Sequence, residues 1–416
     1  MLKRASEIYH QYPSKFWVVA GASFIDVVGR TLIMPFFTLY VTQKFEVGMT
    51  QAGILLATFS VSGFVGNMIG GVLTDRLGRR AIILFGLVFS AVSSIAMGLV
   101  DELRVFYVLA VVVGLLSDVA GPAHGAMIAD LLPEEKRAEG FGMLRVVANM
   151  AWIIGPTIGG LLATRSFLLL FVLDAVCSII TAIIVFRLIP ETRPQAAHLA
   201  SQESMAQTFM GYRIALRDAP YVGFLLVAIL MNLVYLQLYS TFSVFLRDVH
   251  GAGPRVYGML MSLNATTVVL LQFWITRQLR VYPPMLIMAL GTAFYMIGFG
   301  MYAFIAALPL FALAMLLITF GEMIVMPVSQ ALVARFAPEE MRGRYMAVFA
   351  LCWQVPSAVG PWAAGIILDN FDPRLIWVLC AGISAIAITG FLLLHTLTRT
   401  RFAQRPVPAP APAPAS

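Results

Sequence analysis

Several ionisable side chains of this sequence lie inside long apolar segments, where charged groups are rare. Glu322 stands in LITFGEMIVMP, and Asp118 stands in VVVGLLSDVAG. A charge near the centre of a membrane helix costs about 2.5–3.5 kcal/mol on insertion scales, so acids kept in such segments are candidate functional groups. A carboxyl group that alternates between an apolar environment and water can take up and release a proton. We therefore predict a proton-carrying role for both residues, with Glu322 as the first candidate.

Four further ionisable residues accompany these acids. Asp26 and Arg30 are four residues apart in one apolar segment and so share a helix face. They either act directly in proton chemistry or neutralise each other as an intrahelical pair. Arg145 is available to pair permanently with Asp118, which would be a structural tie between neighbouring helices. His124 is either a hydrogen-bonded packing residue or a proton relay.

The composition shows which elements must position these residues. The chain has 416 residues, of which 60% are hydrophobic and only 12% charged, too little polar material to cover a soluble globule. Apolar runs of roughly 20 residues, the length of a membrane-crossing helix, recur along it. The sequence therefore predicts an all-α membrane protein. The twelve predicted spans are 16–41, 50–74, 81–100, 105–131, 140–163, 167–189, 221–247, 254–278, 285–305, 309–334, 345–368 and 374–396.

Basic residues are divided unequally between the two sides of these spans. Only six of the 28 Lys and Arg residues fall on the side opposite the termini, namely Lys44, Arg104, Arg165, Arg247, Arg255 and Arg374. Because basic residues concentrate on the cytoplasmic side, both termini are predicted to be cytoplasmic. The net charge of +7 then reflects topology, so we do not expect nucleic-acid binding. The three cysteines match no zinc spacing, and no metal site is predicted.

The sequence repeats itself at an offset of 205 residues. Pro133, Glu134, Glu135 and Arg137 return as Pro338, Glu339, Glu340 and Arg342. The same offset relates Phe37 to Phe242, Gly53 to Gly258, Pro122 to Pro327 and Gly160 to Gly365. One offset that holds from the first pair of spans to the fifth indicates two homologous six-helix halves. The predicted parts are a first half at 1–189, a cytoplasmic linker at 190–220, a second half at 221–396 and a disordered Pro/Ala-rich tail at 397–416.

The segment GGVLTDRLGRRAIIL, residues 70–84, resembles the signature loop between helices two and three of the major facilitator superfamily. Gly71 is expected to permit close helix approach, Asp75 to place a carboxylate at the cytoplasmic mouth, and Gly78 to make the tight turn. The resemblance implies a gating role for the basic residues of the loop, Arg76, Arg79 and Arg80. It implies the same role for Asp130, an acid at the inner end of span four. We expect Asp130 to pair with Arg76 or Arg79.

Two further segments resemble proton-coupled exporters of that superfamily. WIIGPTIGG, residues 152–160, is similar to the helix-five motif of its antiporter branches, in which Gly155, Pro156, Gly159 and Gly160 allow close packing at the interface of the halves. Glu322 in span ten, and Arg145 with Asn149 in span five, are similar to residues of bacterial multidrug exporters. One position departs from the pattern, because Ala110 stands where such antiporters carry an arginine in helix four.

Polar and aromatic residues in the second half suggest where a substrate binds. Asn232, Tyr235 and Tyr239 form one stripe along span seven, and Trp353 and Gln354 stand in span eleven, with Gln354 at the repeat position of Asn149. These residues either anchor helices to one another or line a large cavity for varied cationic or neutral ligands. Asp174 lies about seven residues into span six and is expected to be interfacial.

The resemblance implies a secondary active transporter, most closely a proton-coupled exporter of drugs or lipophilic cations that works by alternating access. A carrier for one specific solute such as a sugar or amino acid, and a non-transporting membrane sensor, stay open as alternatives. We expect no enzyme activity, because the sequence has no GxxxxGK[ST] loop and no nucleophile beside a base. The expected partners are a small-molecule substrate, protons and the lipid bilayer of the bacterial inner membrane. The chain is expected to function as a monomer, with no cofactor and with the proton gradient as energy source.

Overall fold

The computed structural model describes residues 11–192, 213–279, 281–338 and 341–403. Within these ranges the chain forms helices joined by short turns, and twelve helices are long and apolar enough to cross a membrane. Helices are the natural solution for such segments, because each satisfies its own backbone hydrogen bonds where no water is present. The predicted all-α fold with twelve spans is confirmed.

We number the membrane-crossing helices in chain order. They are α1 Ser14–Lys44, α2 Met49–Leu77, α3 Arg79–Leu99, α4 Leu103–Leu131, α5 Glu134–Ala163, α6 Phe167–Leu188, α7 Ala219–Ser240, α8 Pro254–Leu279, α9 Pro284–Met301, α10 Leu308–Phe336, α11 Leu351–Asn370 and α12 Leu375–Ala403. A short helix, Phe242–His250, extends α7, and another, Arg342–Phe349, precedes α11. Most of the predicted linker, 193–212, and the tail residues 404–416 lie outside the described residues, while 397–403 continue α12 as helix.

Two of the long helices of the first half contain breaks that the sequence analysis did not predict. A 3-10 turn at Met34–Phe36, with Pro35 as its second residue, interrupts α1. A second turn at Asp118–Ala120 interrupts α4, and Pro122 follows at the beginning of the continuing helix. Because proline cannot donate to the preceding turn, it loosens the regular hydrogen-bond ladder at both places. Asp118 therefore lies at the break in α4.

The two halves meet along pairs of helices, α2 with α11 and α5 with α8. The turns that follow α1, α3, α5, α7, α9 and α11 define one face of the bundle, which we call the far face. The opposite face, where α1 begins and α12 ends, is the termini face. Near the far face, two side-chain contacts between the halves join positions that are 205 residues apart. Thr38 Oγ1 lies 3.3 Å from Ser243 Oγ, and Arg247 Nη1 donates to Thr42 Oγ1 at 2.8 Å. Each pair joins two positions that the repeat makes equivalent, so these contacts lie on the pseudo-twofold axis.

Glycines make the approach of the halves possible. A Cβ atom added at Gly53 in α2 would lie 2.5 Å from the carbonyl oxygen of Pro361 in α11. The equivalent Cβ at Gly258 in α8 would lie 2.6 Å from the carbonyl oxygen of Pro156 in α5. Both distances are shorter than any real carbon contact, so only glycine permits this backbone-to-backbone packing. The same seam is thus built twice, once at each interface of the halves.

Candidate functional site

A cavity of about 300 Å³ lies between the two halves, where α1 and α5 of the first half face α7, α8, α10 and α11 of the second. Its walls are mostly apolar and aromatic, with one acid and two amides among them. The lining residues are Met34, Asn149, Trp152, Tyr235, Leu236, Tyr239, Asn264, Ala265, Val268, Glu322 and Trp353. A mostly apolar pocket with a few polar groups is the usual form of a small-molecule site.

Glu322 is the acid in this cavity. Its helix α10 carries it among apolar neighbours, and Asn264 of α8 donates from Nδ2 to Glu322 Oε2 at 2.9 Å. The same amide nitrogen also lies 2.9 Å from Thr319 Oγ1, one turn earlier on α10. Asn264 is buried, with 6% of its surface exposed, so it holds the carboxyl group in a fixed orientation. The side chain of Tyr235 in α7 lines the same cavity as this carboxyl group.

Aromatic rings surround this acid. Trp152 of α5 meets Tyr239 of α7 edge to face, with ring centroids 5.2 Å apart, so the contact joins the two halves. Tyr235 lies edge to face with Tyr239 at 5.6 Å and with Trp353 at 6.0 Å. The hydroxyl groups of the two tyrosines are 3.0 Å apart, and both tyrosines line the same cavity as Glu322. The site therefore combines a carboxyl group with several aromatic faces.

Arg145 and Asn149 lie on α5, four residues apart and so on one face of that helix. Asn149 lines the cavity, whereas Arg145 donates from Nη1 to Gln330 Oε1 of α10 at 3.3 Å. Arg145 also interacts electrostatically with Glu322. The side chain of Asp118 lies outside the described part of the chain, so the expected tie between Arg145 and Asp118 stays a prediction. The described hydrogen bond of Arg145 instead crosses to the second half.

Two residues predicted to line the cavity lie elsewhere. Asn232 is buried and donates from Nδ2 to the carbonyl oxygen of Cys352 at 2.8 Å, which ties α7 to α11. Gln354 faces α2, where Ser60 Oγ donates to its Oε1 at 3.3 Å, and Ser60 also contacts Ser357 at 2.7 Å. Both residues hold helices together in this conformation, which corresponds to the packing alternative that the sequence left open.

The remaining ionisable residues gather inside the first half. Among the described side chains, Asp26 and Arg30 form no ion pair within 4.0 Å, so the intrahelical neutralising pair is absent from this structure. Both interact electrostatically with His124 of α4 and with Asp174 of α6. Asp174 was expected to be interfacial, and its depth in the membrane stays a prediction, although its side chain is buried within the protein. It is 7% exposed and accepts a hydrogen bond from Ser94 Oγ of α3 at 2.7 Å.

The signature loop folds around a carboxylate that the sequence analysis did not identify. Glu191, which follows α6, accepts hydrogen bonds from the backbone amides of Arg79 at 2.9 Å and Arg80 at 3.1 Å. These amides begin α3, where an anion is favoured by the unpaired N–H groups and the helix dipole. Arg80 also donates to the carbonyl oxygen of Phe186, and its guanidinium lies 5.1 Å from the Phe186 ring centroid. Glu191 therefore fixes the loop to the end of α6.

The expected pairing of Asp130 with Arg79 is present. Arg79 Nε lies 3.2 Å from Asp130 Oδ2, and Thr192 Oγ1 lies 3.3 Å from the same oxygen. These bonds connect α3, α4 and the segment after α6, all within the first half. Arg76 is exposed, and the side chain of Asp75 lies outside the described part of the structure.

Two glycines of this loop differ in a testable way. Gly78 has φ 95° and ψ 159°, a conformation open almost only to glycine, so it makes the tight turn. Gly71 was expected to permit close helix approach, but a Cβ added there meets no described atom within 4 Å, so that interpretation is wrong for this conformation. We expect Gly78→Ala to destabilise the protein by about 1–3 kcal/mol. Gly71→Ala should leave the thermal unfolding temperature in detergent unchanged, and equal unfolding temperatures for the two variants would contradict the strained turn.

The helix-five motif packs in two directions. A Cβ at Gly159 would lie 2.7 Å from the carbonyl oxygen of Leu32, and Gly155 packs equally tightly against Thr31, so both residues hold α5 to α1. Gly160 instead faces the second half, where its Cβ would lie 3.0 Å from the carbonyl oxygen of Pro254. Together with Pro156, which faces Gly258, Gly160 forms the α5–α8 seam. The motif thus lies where one half meets the other.

The sequence analysis missed Asn264, Glu191 and Asp174 as parts of these sites. Asn264 is an amide near the middle of an apolar span, and that signal could have marked it. Glu191 follows the last apolar residues of its span and looks like an ordinary surface acid. Its partners are more than 110 residues away in the chain, so its position depends on the fold.

Comparison with known proteins agrees with this architecture. The sequence profile of the Major Facilitator Superfamily matches residues 19–361 and also 246–415. The chain is 25% identical to the uncharacterized MFS-type transporter YhjO of Bacillus subtilis over 84% of this chain and 87% of that protein. It is 24% identical to the Na(+), Li(+), K(+)/H(+) antiporter of Planococcus maritimus over 79% of this chain and 84% of that one.

A shorter match is to the quinolone resistance protein NorA of Staphylococcus aureus, 30% identical over 145 residues, which are 34% of this chain and 37% of NorA. Among solved structures, the nucleoside transporter NupG superposes with a TM-score of 0.79 over 92% of this chain and all of NupG, at 13% identity. At such low identity this likeness concerns the fold alone. With the profile matching nearly the whole chain and twelve helices arranged in two equivalent halves, the protein belongs to the major facilitator superfamily of membrane transporters.

Proposed function

We propose that this protein exports lipophilic cations and related drug-like molecules in exchange for protons, by alternating access of the central cavity. The proposal rests on the position of Glu322, an acid that lies among aromatic rings at the interface of the two halves. A carboxylate attracts a cation, and the faces of tryptophan and tyrosine rings attract it further while accepting apolar groups. The match to NorA, a quinolone resistance protein, supports the same substrate class.

The proposed exchange follows because a proton and a cationic substrate compete for the carboxyl group of Glu322. A proton and a cationic substrate both neutralise the Glu322 carboxylate, so the two are bound alternately. Asn264 keeps the carboxyl group oriented in either state, because an amide N–H can donate both to a carboxylate and to the carbonyl oxygen of a protonated acid. Asp26, Arg30, His124 and Asp118 are proposed as a second group of proton-handling residues in the first half, and Arg145 as the cation that adjusts the charge around Glu322.

In the same proposal, the loop around Asp75, Gly78 and Arg80 acts as part of a gate on the termini face. The Arg79–Asp130 pair gives this loop a rigid base, since both side chains belong to elements of one half that move together. The protein would need no bound cofactor, would act as a monomer and would take its energy from the proton gradient across the bacterial inner membrane.

A second candidate is exchange of alkali cations for protons. The relative from Planococcus maritimus is named as an antiporter of Na⁺, Li⁺ or K⁺ with protons, and it matches most of the chain. The aromatic lining argues for larger, less hydrated substrates, because an alkali ion needs several oxygen ligands to replace its water. The two candidates differ in which compounds drive proton movement.

The experiment that tests the proposal is a flux assay in proteoliposomes with and without an imposed pH gradient. The compounds compared are ethidium as a lipophilic cation, norfloxacin, Na⁺, K⁺, a neutral sugar and an amino acid. Gradient-dependent accumulation of ethidium, absent from protein-free liposomes, is the expected result. Accumulation of Na⁺ or of the sugar alone would replace the proposal by the second candidate or by a specific-solute carrier. Binding of ethidium without any flux would instead favour a sensor.

The proposed orientation places the termini face in the cytoplasm. Arg104, at the start of α4 on the far face, and Arg213, close to α7 on the termini face, are both exposed and suit cysteine labelling. In a variant without the three native cysteines, we expect Arg104→Cys to react with an impermeant maleimide in intact cells. Arg213→Cys should react only after the cells are permeabilised. Labelling of Arg213→Cys in intact cells would reverse the assigned orientation.

A further inference from the structure

The beginning of α2 is capped by a residue of the other half. Asp369, at the end of α11, accepts a hydrogen bond from the backbone amide of Met49 at 2.9 Å and another from the amide of Thr50 at 2.8 Å. Each of its carboxylate oxygens takes one amide. Gly48, the residue that precedes α2, has no side chain and so cannot cap this helix itself. The first two amides of α2 therefore depend on a partner 320 and 319 residues away.

This contact is favourable for two reasons. The first amides of a helix have no partner within the helix, and they lie at the positive end of its dipole. A carboxylate that accepts hydrogen bonds from such amides forms charge-assisted bonds, which are stronger than neutral ones. Because Asp369 belongs to the second half and the amides to the first, the bonds exist only while the halves touch at the far face.

The contact is present at only one of the two equivalent seams, because the α5–α8 seam has no counterpart of it. The position equivalent to Asp369 is Thr164, whose Oγ1 donates to the carbonyl oxygen of Leu161 in its own helix at 2.6 Å. The residue equivalent to Met49 is Pro254, which has no amide hydrogen to offer. The glycine contacts are thus duplicated in both seams, whereas the carboxylate contact belongs to the α2–α11 seam alone.

We propose that Asp369 is a positioning residue of the transport cycle, a latch that stabilises the conformation closed at the far face. When the halves rock apart there, the carboxylate and the two amides separate and return to water. Loss of the latch leaves the central cavity and its ligands in place and changes only the balance between the two conformations. The inference rests on the proposed alternating access and does not depend on the identity of the substrate.

The test uses spin labels at two exposed far-face positions of opposite halves, Arg104→Cys and Leu308→Cys, in a protein without native cysteines. Electron–electron distances give the ratio of far-face-open to far-face-closed molecules. For Asp369→Ala we expect this ratio to rise about fivefold, the order expected for losing an exposed charge-assisted contact. Asp369→Asn keeps the size and one acceptor oxygen, so it should give a smaller rise. Transport measured with ethidium should slow in the same order.

Asp372 supplies a matched control. It is an acid on the same face, three residues further along, and its Oδ1 accepts from the backbone amide of Arg374 within its own half. Asp372→Asn should leave the distance distribution unchanged. The wild-type protein, measured at pH 6 and pH 8 with and without ethidium, shows whether the far face opens at all. An unchanged ratio in Asp369→Ala, when the wild type does alternate, would overturn the latch alone. A wild type fixed in one conformation would overturn both the latch and alternating access.

Discussion

Replacement of Gly53 by leucine is expected to stop transport by preventing closure of the far face. A Cβ at this position already lies 2.5 Å from the carbonyl oxygen of Pro361 and 2.6 Å from the Cα atom of Trp362, both of them backbone atoms that cannot turn away. Overpacking of this kind costs about 1–3 kcal/mol, which corresponds to a shift of about fivefold to more than a hundredfold toward the far-face-open conformation. We expect ethidium flux to fall by a similar factor.

The repeat supplies an internal check on this result. Gly258→Leu should have the same effect, because its Cβ would lie 2.6 Å from the carbonyl oxygen of Pro156. Gly21→Leu, in α1, is the control, since a Cβ there meets no described atom within 4 Å. Normal flux through Gly53→Leu, with the protein folded and monodisperse, would show that transport does not require the seam to close.

Replacement of Glu322 by glutamine is expected to abolish gradient-driven accumulation. Glutamine has the shape of the protonated acid but can neither release a proton nor offer a charge to a cation. Its side chain can still accept from Asn264, whose amide lies 2.9 Å from Glu322 Oε2. The cavity should therefore keep its form, and neutral compounds should still exchange down their own gradients.

The loss of ethidium accumulation is expected to be larger for Glu322→Gln than for substitutions of the other acids. We expect accumulation of ethidium against its gradient to fall to the level of protein-free liposomes in Glu322→Gln. Asp26→Asn and Asp118→Asn test the second group of ionisable residues in the same assay. Glu322→Asp, which restores a carboxyl group on a shorter side chain, should recover part of the activity. Full accumulation by Glu322→Gln would remove this residue from the coupling mechanism and leave the first-half group as the alternative.

The fold was predictable because the lengths of the apolar runs and the internal repeat can both be read directly from the sequence. Twelve apolar runs of membrane-spanning length predicted the helices, and the 205-residue offset alone paired Gly53 with Gly258. That pairing reappears as two equivalent glycine seams. The breaks in α1 and α4 were harder to foresee, because Pro35 and Pro122 lie in runs that are otherwise largely apolar.

The polar contacts of the site were only partly predictable. Glu322, Tyr235 and Tyr239 were found because an acid and an aromatic stripe stand out in apolar helices. Their partner Asn264 is 58 residues from Glu322, and no sequence period links the two. Asp369 is still more remote from the helix that it caps. Such contacts depend on how helices of different halves approach one another, which a pattern of spans does not specify.

The most direct test of proton-coupled export is proton movement caused by substrate. Proteoliposomes that contain a pH-sensitive dye, with the membrane potential clamped by K⁺ and valinomycin, receive ethidium on the outside and no pH gradient. If ethidium enters in exchange for protons, the interior becomes more alkaline, and Glu322→Gln and protein-free liposomes show no such change. Entry of ethidium through the wild-type protein with an unchanged or more acidic interior would contradict the exchange of a cation for a proton.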